Sequence, residues 1–195
     1  MKIRRRGPYI ESFTSTDGTN WQPLNRNELI SRQSGIERAN WRPRDAFHIT
    51  LKFYGEVRED RADDLDAELL RIGGAPFDLT VQGVGSFGDG ADLHAVWAGV
   101  AGSEPLTRLA KACDQAARRV GIPVESRAYR PHVTLAYLRK ANPLEVAQWI
   151  QANNLLASPV FPVTTFGLYS SWQTSEGSAY RLERAYGLGI PRSSP

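Results

Sequence analysis

The chain has 195 residues, of which 41% are hydrophobic and 23% charged, enough to bury a sizeable core in one domain or two closely packed lobes without staples. A formal charge of +3 permits an anionic ligand but is too small to imply a long nucleic-acid footprint. A single cysteine excludes an intramolecular disulfide and a cysteine-based zinc site, and no stretch approaches the length of a membrane span, so a soluble cytoplasmic protein without membrane contact is expected.

Lys2-Ile3-Arg4-Arg5-Arg6 is not followed by the apolar run that a secretory signal needs. Pro8 to Phe13 reads as a short strand, and Ser15 to Asn20 carries turn chemistry. Leu29, Ile30 and Ile36 are spaced loosely as a helix between Leu24 and Arg38. A strand follows over Phe47-His48-Ile49-Thr50-Leu51-Lys52-Phe53, then an amphipathic helix from Arg58 to Ile72 that stops at Gly73-Gly74.

Phe77 to Val81 and Leu93 to Val100 alternate as the strands of a hairpin turning at Gly88-Asp89-Gly90. Ser103 is an N-cap for the best-defined helix, with Leu106, Leu109, Ala110, Cys113, Ala117 and Val120 as its core stripe and Gly121 as its end. On that stripe Cys113 is expected to be buried and inert. A second strand, Pro131-His132-Val133-Thr134-Leu135-Ala136-Tyr137, comes next. Asn142-Pro143-Leu144-Glu145 then opens a helix to about Ala152, and Val160 to Ser170 with Ala179 to Leu188 suggests a closing hairpin. Residues 190–195 are expected to form a flexible tail.

Two of the three histidines thus sit in one repeated pattern: His, an aliphatic β-branched residue, Thr, Leu. Their separation of 84 residues, about half the chain, points to an internal duplication. Strand alternation would place His48, Thr50 and Lys52 on one face, and His132 with Thr134 on the equivalent face of the second copy. Two imidazoles meeting across a cleft can work without metal, one as neutral base and one as protonated acid. Two threonine hydroxyls one pleat away can hydrogen-bond a phosphoryl group, and a nearby Lys or Arg can offset its charge. The set suits phosphoester cleavage, and the symmetric motifs leave open which histidine is the base.

A three-ligand zinc site lacks neighbouring carboxylates, and no Gly-x-Ser-x-Gly elbow is present. No metal or cofactor is therefore expected. Lys52 and Arg130 are candidate phosphate-binding cations, Arg130 being held extended by Pro131. Trp41 and Trp172 are read as packing residues with base stacking as the alternative, and His94 as structural or exposed.

Phe47 to Glu56 and Arg130 to Ala136 resemble the two signature motifs of the 2H phosphoesterases, and more closely those of the LigT-like, "2'-5' RNA ligase" branch. The resemblance is strongest from Trp41 to Leu138. It implies an α+β, bilobal 2H phosphoesterase fold: two antiparallel sheets with flanking helices, related by a pseudo-two-fold, with the active-site cleft between the lobes of a single domain spanning residues 1–195. It also implies an RNA 2',3'-cyclic phosphodiesterase that hydrolyses cyclic phosphate ends of RNA, or cyclic nucleotides, to 2'-phosphates, with reversible 2'-5' ligation as a further activity. His132 would be the proton acceptor, His48 the proton donor, and Thr50 and Thr134 would hold the phosphate oxygens.

Tyr137 stands where the resemblance implies an Arg, so charge compensation is expected from Lys52, Arg130 or Arg139, and Tyr137 itself at the rim or in the core. Tyr54 replaces a usual Leu. The expected partners are RNA ends or cyclic nucleotides, with no protein partner and a monomeric state. A binding module without useful turnover, or a hydrolase of a non-RNA cyclic phosphate such as a cyclic ADP-ribose derivative, are the rival readings.

Overall fold

The computed structural model of the chain describes residues 6–12, 14–15, 21–22, 29, 32–43, 46–123, 128–174 and 177–189. Its twelve described strands are β1 Arg6–Ser12, β2 Thr14–Ser15, β3 Trp21–Gln22, β4 Ala39–Trp41, β5 Ile49–Phe53, β6 Phe77–Leu79, β7 Val81–Phe87, β8 Ala95–Val100, β9 His132–Leu138, β10 Phe161–Val163, β11 Thr165–Thr174 and β12 Gly177–Gly187. Among the described residues, longer helices run over α1 Glu59–Leu70, α2 Glu104–Arg119 and α3 Pro143–Asn153.

The helix signals work as their chemistry requires. The Ser103 hydroxyl accepts from the Leu106 N–H and starts α2, and Gly121, at φ 73°, lets the chain leave it in the left-handed region. The Asn142 side chain accepts from the Leu144 N–H and, with Pro143 in the first turn, starts α3. Leu106, Leu109, Ala110, Cys113 and Ala117 form the buried stripe of α2, as the sequence spacing predicts; Ala116 joins them, while the expected Val120 is half-buried.

Eight of the strands form an antiparallel sheet in the order β12-β11-β1-β5-β9-β8-β7, with β4 also paired to β9, and β6 with β10 and β2 with β3 form two-stranded sheets. The two expected sheets are thus halves of one eight-stranded sheet, each half built on one histidine strand. They are joined between β5 and β9 by a single pair, Ile49 opposite Val133. Helices α1 and α2 pack on each other, α2 against β5 and α1 against β12, while α3 covers β7.

The reason the seam is so short lies in the register. Against β1, strand β5 skips Leu51, since Ile10 faces Lys52 and Glu11 faces Thr50. Against β8, strand β9 skips Leu135, since Val96 faces Ala136 and Trp97 faces Thr134. Each histidine strand therefore carries a β-bulge three residues after its histidine, so the duplication extends to backbone irregularity. A bulge increases local twist, which splays β5 from β9 beyond the Ile49–Val133 pair.

Several sequence expectations need correction. Phe77–Leu79 pairs with Phe161–Val163, and the hairpin partner of β8 is β7, Val81–Phe87. The closing hairpin is Thr165–Thr174 with Gly177–Gly187, shifted along the chain from the alternation read in sequence. The expected helix from Leu24 to Arg38 falls partly outside the described residues, and 32–38 form turns; their apolar anchors Leu29 and Ile36 are nonetheless buried. The tail 190–195 lies outside the described residues. No helix among those described is long and apolar enough to cross a membrane.

Candidate active site

Ile49 and Val133 are fully buried beneath the seam, as are Leu51 and Leu135, and burying such side chains contributes about 1.5–3 kcal/mol each. This apolar face anchors the strands, leaving His48, Thr50, His132 and Thr134 half-buried on the other face. The antiparallel pair of Ile49 with Val133 brings the two motifs together, His48 and Thr50 flanking the first residue and His132 and Thr134 the second.

The imidazoles are held alike. Nδ1 of His48 donates to the Ala46 carbonyl at 2.8 Å, and Nδ1 of His132 donates to the Arg130 carbonyl at 2.7 Å. A carbonyl can only accept, so Nδ1 carries the proton in both rings and, in the neutral imidazole, Nε2 carries the lone pair. His94 makes the same local contact, to the Asp92 carbonyl at 2.8 Å, but is exposed on the β7–β8 connection.

Aromatic rings brace both histidines. Phe87 meets His132 edge to face at 4.8 Å between centroids, and Tyr180 meets His48 likewise at 5.1 Å. Trp97 backs the Phe87 ring at 5.6 Å. Gly85 makes room for it, since a Cβ at that position would collide with the indole. Burial pushes the His132 pKa below the ordinary imidazole value; the backbone bond at Nδ1 raises it, and charge on the nearby His48 lowers it again. His132 is therefore biased towards the neutral form near pH 7.

The bulges correct the expected faces of the residues that follow. After the register shift at Leu51, Lys52 lies with its Nζ 2.5 Å from Asp114 of α2. Asp114 also accepts from Arg118 at 2.7 Å. Burial raises the Asp114 pKa, but the bonds from Arg118 and Lys52 together outweigh it and hold the carboxyl below its usual range. The same rephasing brings Phe53, 45% exposed, and Tyr137, 41% exposed, out of the core. Tyr54 is buried and its hydroxyl donates to the Cys113 carbonyl at 3.1 Å. Cys113 is itself fully buried, and burial pushes its thiol far above the reactive range.

Beneath Tyr137 lies a cation that the sequence reading missed. Arg42, 4% exposed, holds its guanidinium 5.6 Å from the Tyr137 ring centre and 5.9 Å from that of Tyr180. Its N–H donates to the Leu135 carbonyl at the bulge, and Gln33 donates to its carbonyl. Nothing in the local pattern announces Arg42, because its partners come from β9 and β12.

Arg130 is exposed and lines an open cavity of about 870 Å³ together with Thr50, Lys52 and His132. Helix α2 supplies one wall through Thr107, Lys111, Asp114 and Arg118, a polar stripe at helical spacing that was legible beside the apolar one. Trp41 packs on Trp149 at 5.9 Å, so its role is in packing, while Trp172 is exposed. Arg139 is exposed beyond the end of β9.

The model of the 2'-5' RNA ligase superfamily matches residues 21–173. A protein of Archaeoglobus fulgidus named RNA 2',3'-cyclic phosphodiesterase is 27% identical over 158 residues, covering 81% of this chain and 89% of that protein. A Thermotoga maritima protein of the same name is 28% identical over 162 residues, covering 80% and 81%. Among solved structures, E. coli LigT complexed with 3'-AMP superposes with a TM-score of 0.73 at 23% identity, covering 95% of this chain and 99% of that one. TT0787 of Thermus thermophilus gives 0.72 at 23% identity, with 93% and 97% covered. The α+β fold read from the sequence is the fold of these structures, and the chain belongs to the 2'-5' RNA ligase superfamily.

Proposed function

We propose that the protein hydrolyses 2',3'-cyclic phosphates at RNA ends, or in cyclic nucleotides, to 2'-phosphates by two-histidine acid–base catalysis. The observation that carries this reading is that His48 and His132 flank the Ile49–Val133 pair of the β5–β9 seam, each with Nδ1 tied to a backbone carbonyl. The relatives' shared name supports the substrate class, and E. coli LigT has been crystallised with 3'-AMP and with NADP+.

His132, biased towards neutrality by burial, takes a proton from water at Nε2 as the water oxygen bonds to phosphorus. The bond from phosphorus to O3' breaks, and His48 gives its Nε2 proton to the departing O3'. Thr50 and Thr134 donate to the phosphoryl oxygens from the same face. The two imidazoles exchange protonation state in each turnover and reset with solvent. Run forward with a 5'-hydroxyl in place of water, the same groups would join a 2'-5' linkage as the bond to O3' breaks, and the reverse of that transfer would cleave one.

The test is turnover of nucleoside 2',3'-cyclic phosphates and of a short RNA with a cyclic phosphate end, with EDTA present. A 2'-phosphate product, with activity lost in both His48→Ala and His132→Ala while folding is retained, is expected. Full activity in either variant would sink the two-histidine mechanism.

A further inference from the structure

The cavity of about 870 Å³ is lined by Thr50 and His132 but not by His48, and α2 supplies one wall of it. Its volume is in the range of small-molecule sites, about 300–1,000 Å³, and exceeds what one phosphoryl group needs. From Thr107 to Arg118 the helical wall runs about 16 Å at about 1.5 Å per residue. A stacked strand places a phosphate roughly every 3.4 Å, so the wall can face more than one.

The charges of the lining divide into two sets. Asp114 is committed to Lys52 and Arg118, which makes a closed ionic cluster in the wall. Lys111 and Arg130 line the same cavity, and among the described residues neither side chain has a hydrogen-bond or ion-pair partner. The exposed Phe53 ring and the side chain of Phe87 line it as well, an apolar surface suited to ribose or base. Cation and aromatic are thus combined next to the reacting position.

We infer that this cavity is a subsite for a second phosphate of the substrate, separate from the reacting cyclic group, with Lys111 and Arg130 as its ligands. The inference rests on the phosphodiesterase reading and sharpens it: the preferred substrate is a nucleotide end that carries a further phosphate. That phosphate is either the next phosphodiester of a strand or a terminal phosphate on the same nucleotide, since both present the same oxygens to the two cations.

Three substrates separate these cases: a nucleoside 2',3'-cyclic phosphate, the same compound with a 5'-phosphate, and a dinucleotide ending in the cyclic phosphate. For the wild type, a second phosphate should raise kcat/KM by about tenfold. Lys111→Glu should abolish that advantage, while Lys140→Glu, an equal charge change on an exposed residue that does not line the cavity, should retain it. Whichever of the two longer substrates gains identifies the phosphate. No gain in the wild type, or an equal gain in both variants, would overturn the subsite. If none of the substrates turns over, the reaction reading fails, and equilibrium binding of the 2'-phosphorylated dinucleotide decides the subsite separately. Weaker binding in Lys111→Glu by about fivefold, with the salt slope reduced by about 0.7, supports it, and unchanged binding refutes it.

Discussion

Replacing His132 by Asn isolates the proposed base from the architecture around it. The Asn side-chain amide can still donate to the Arg130 carbonyl, which now receives Nδ1 at 2.7 Å, so the start of β9 keeps its local bond. What disappears is Nε2, the titrating atom, together with the edge contact to Phe87. An aromatic pair of that kind is worth about 0.5–1.5 kcal/mol. For a chain of this size each kcal/mol moves Tm by about 2–4 °C, so the melting point should fall by no more than about 6 °C. Loss of a general base costs about 10²–10⁴ in rate, equivalent to about 2.7–5.4 kcal/mol of barrier. Steady-state hydrolysis of a nucleoside 2',3'-cyclic phosphate, with thermal melts monitored by circular dichroism, separates the two effects. The acid limb of kcat/KM against pH should disappear in the variant. A rate within fivefold of wild type would refute the assignment, as would a collapse of Tm large enough to explain the loss.

Further outcomes follow from the same geometry. Because the His132 pKa is lowered in the folded state, the unfolded chain takes up this proton first as pH falls through about 6.5, so folding stability is lost on acidification below that value. Urea melts at pH 7.5 and 5.5 should show an acid loss in the wild type that is smaller in His132→Asn; identical losses would contradict the burial argument. Lys52→Met removes one of the two cations on Asp114 and should cost about 1–3 kcal/mol of stability with KM for a cyclic mononucleotide changed less than about threefold. A large rise in KM at unchanged stability would return Lys52 to the substrate. Tyr137→Arg places a second guanidinium where Arg42 already lies against the ring, forfeiting a cation–π contact of about 0.5–2 kcal/mol. A lower Tm without a gain in kcat/KM is expected, and a clear gain in kcat/KM would show that the position needs a cation of its own.

The helices were legible because their signals are local. Ser103 and Asn142 cap the backbone of their own helices, and an apolar stripe at helical spacing can be buried on one side only. The histidine strands were legible for a similar reason: a period of two assigns His48 with Thr50, and His132 with Thr134, to one face before any partner is known. The strand pairings were less so, because Phe77–Leu79 and Val81–Phe87 are continuous in sequence yet join different partners. The choice between those partners is made by residues more than eighty positions away in one case, and no local pattern carries it.

By itself the sequence determined the α+β class, the duplication and the four residues at the seam, since each depends on local periodicity and on a repeat visible along the chain. Only the tertiary structure decided where Lys52 and Tyr137 point, because a bulge is a mismatch between two strands and has no signature within one. Only it decided that Arg42 lies under two tyrosine rings and that Lys111 shares a cavity with His132. These are contacts between distant segments, and their energies exist only once the sheet has closed around them.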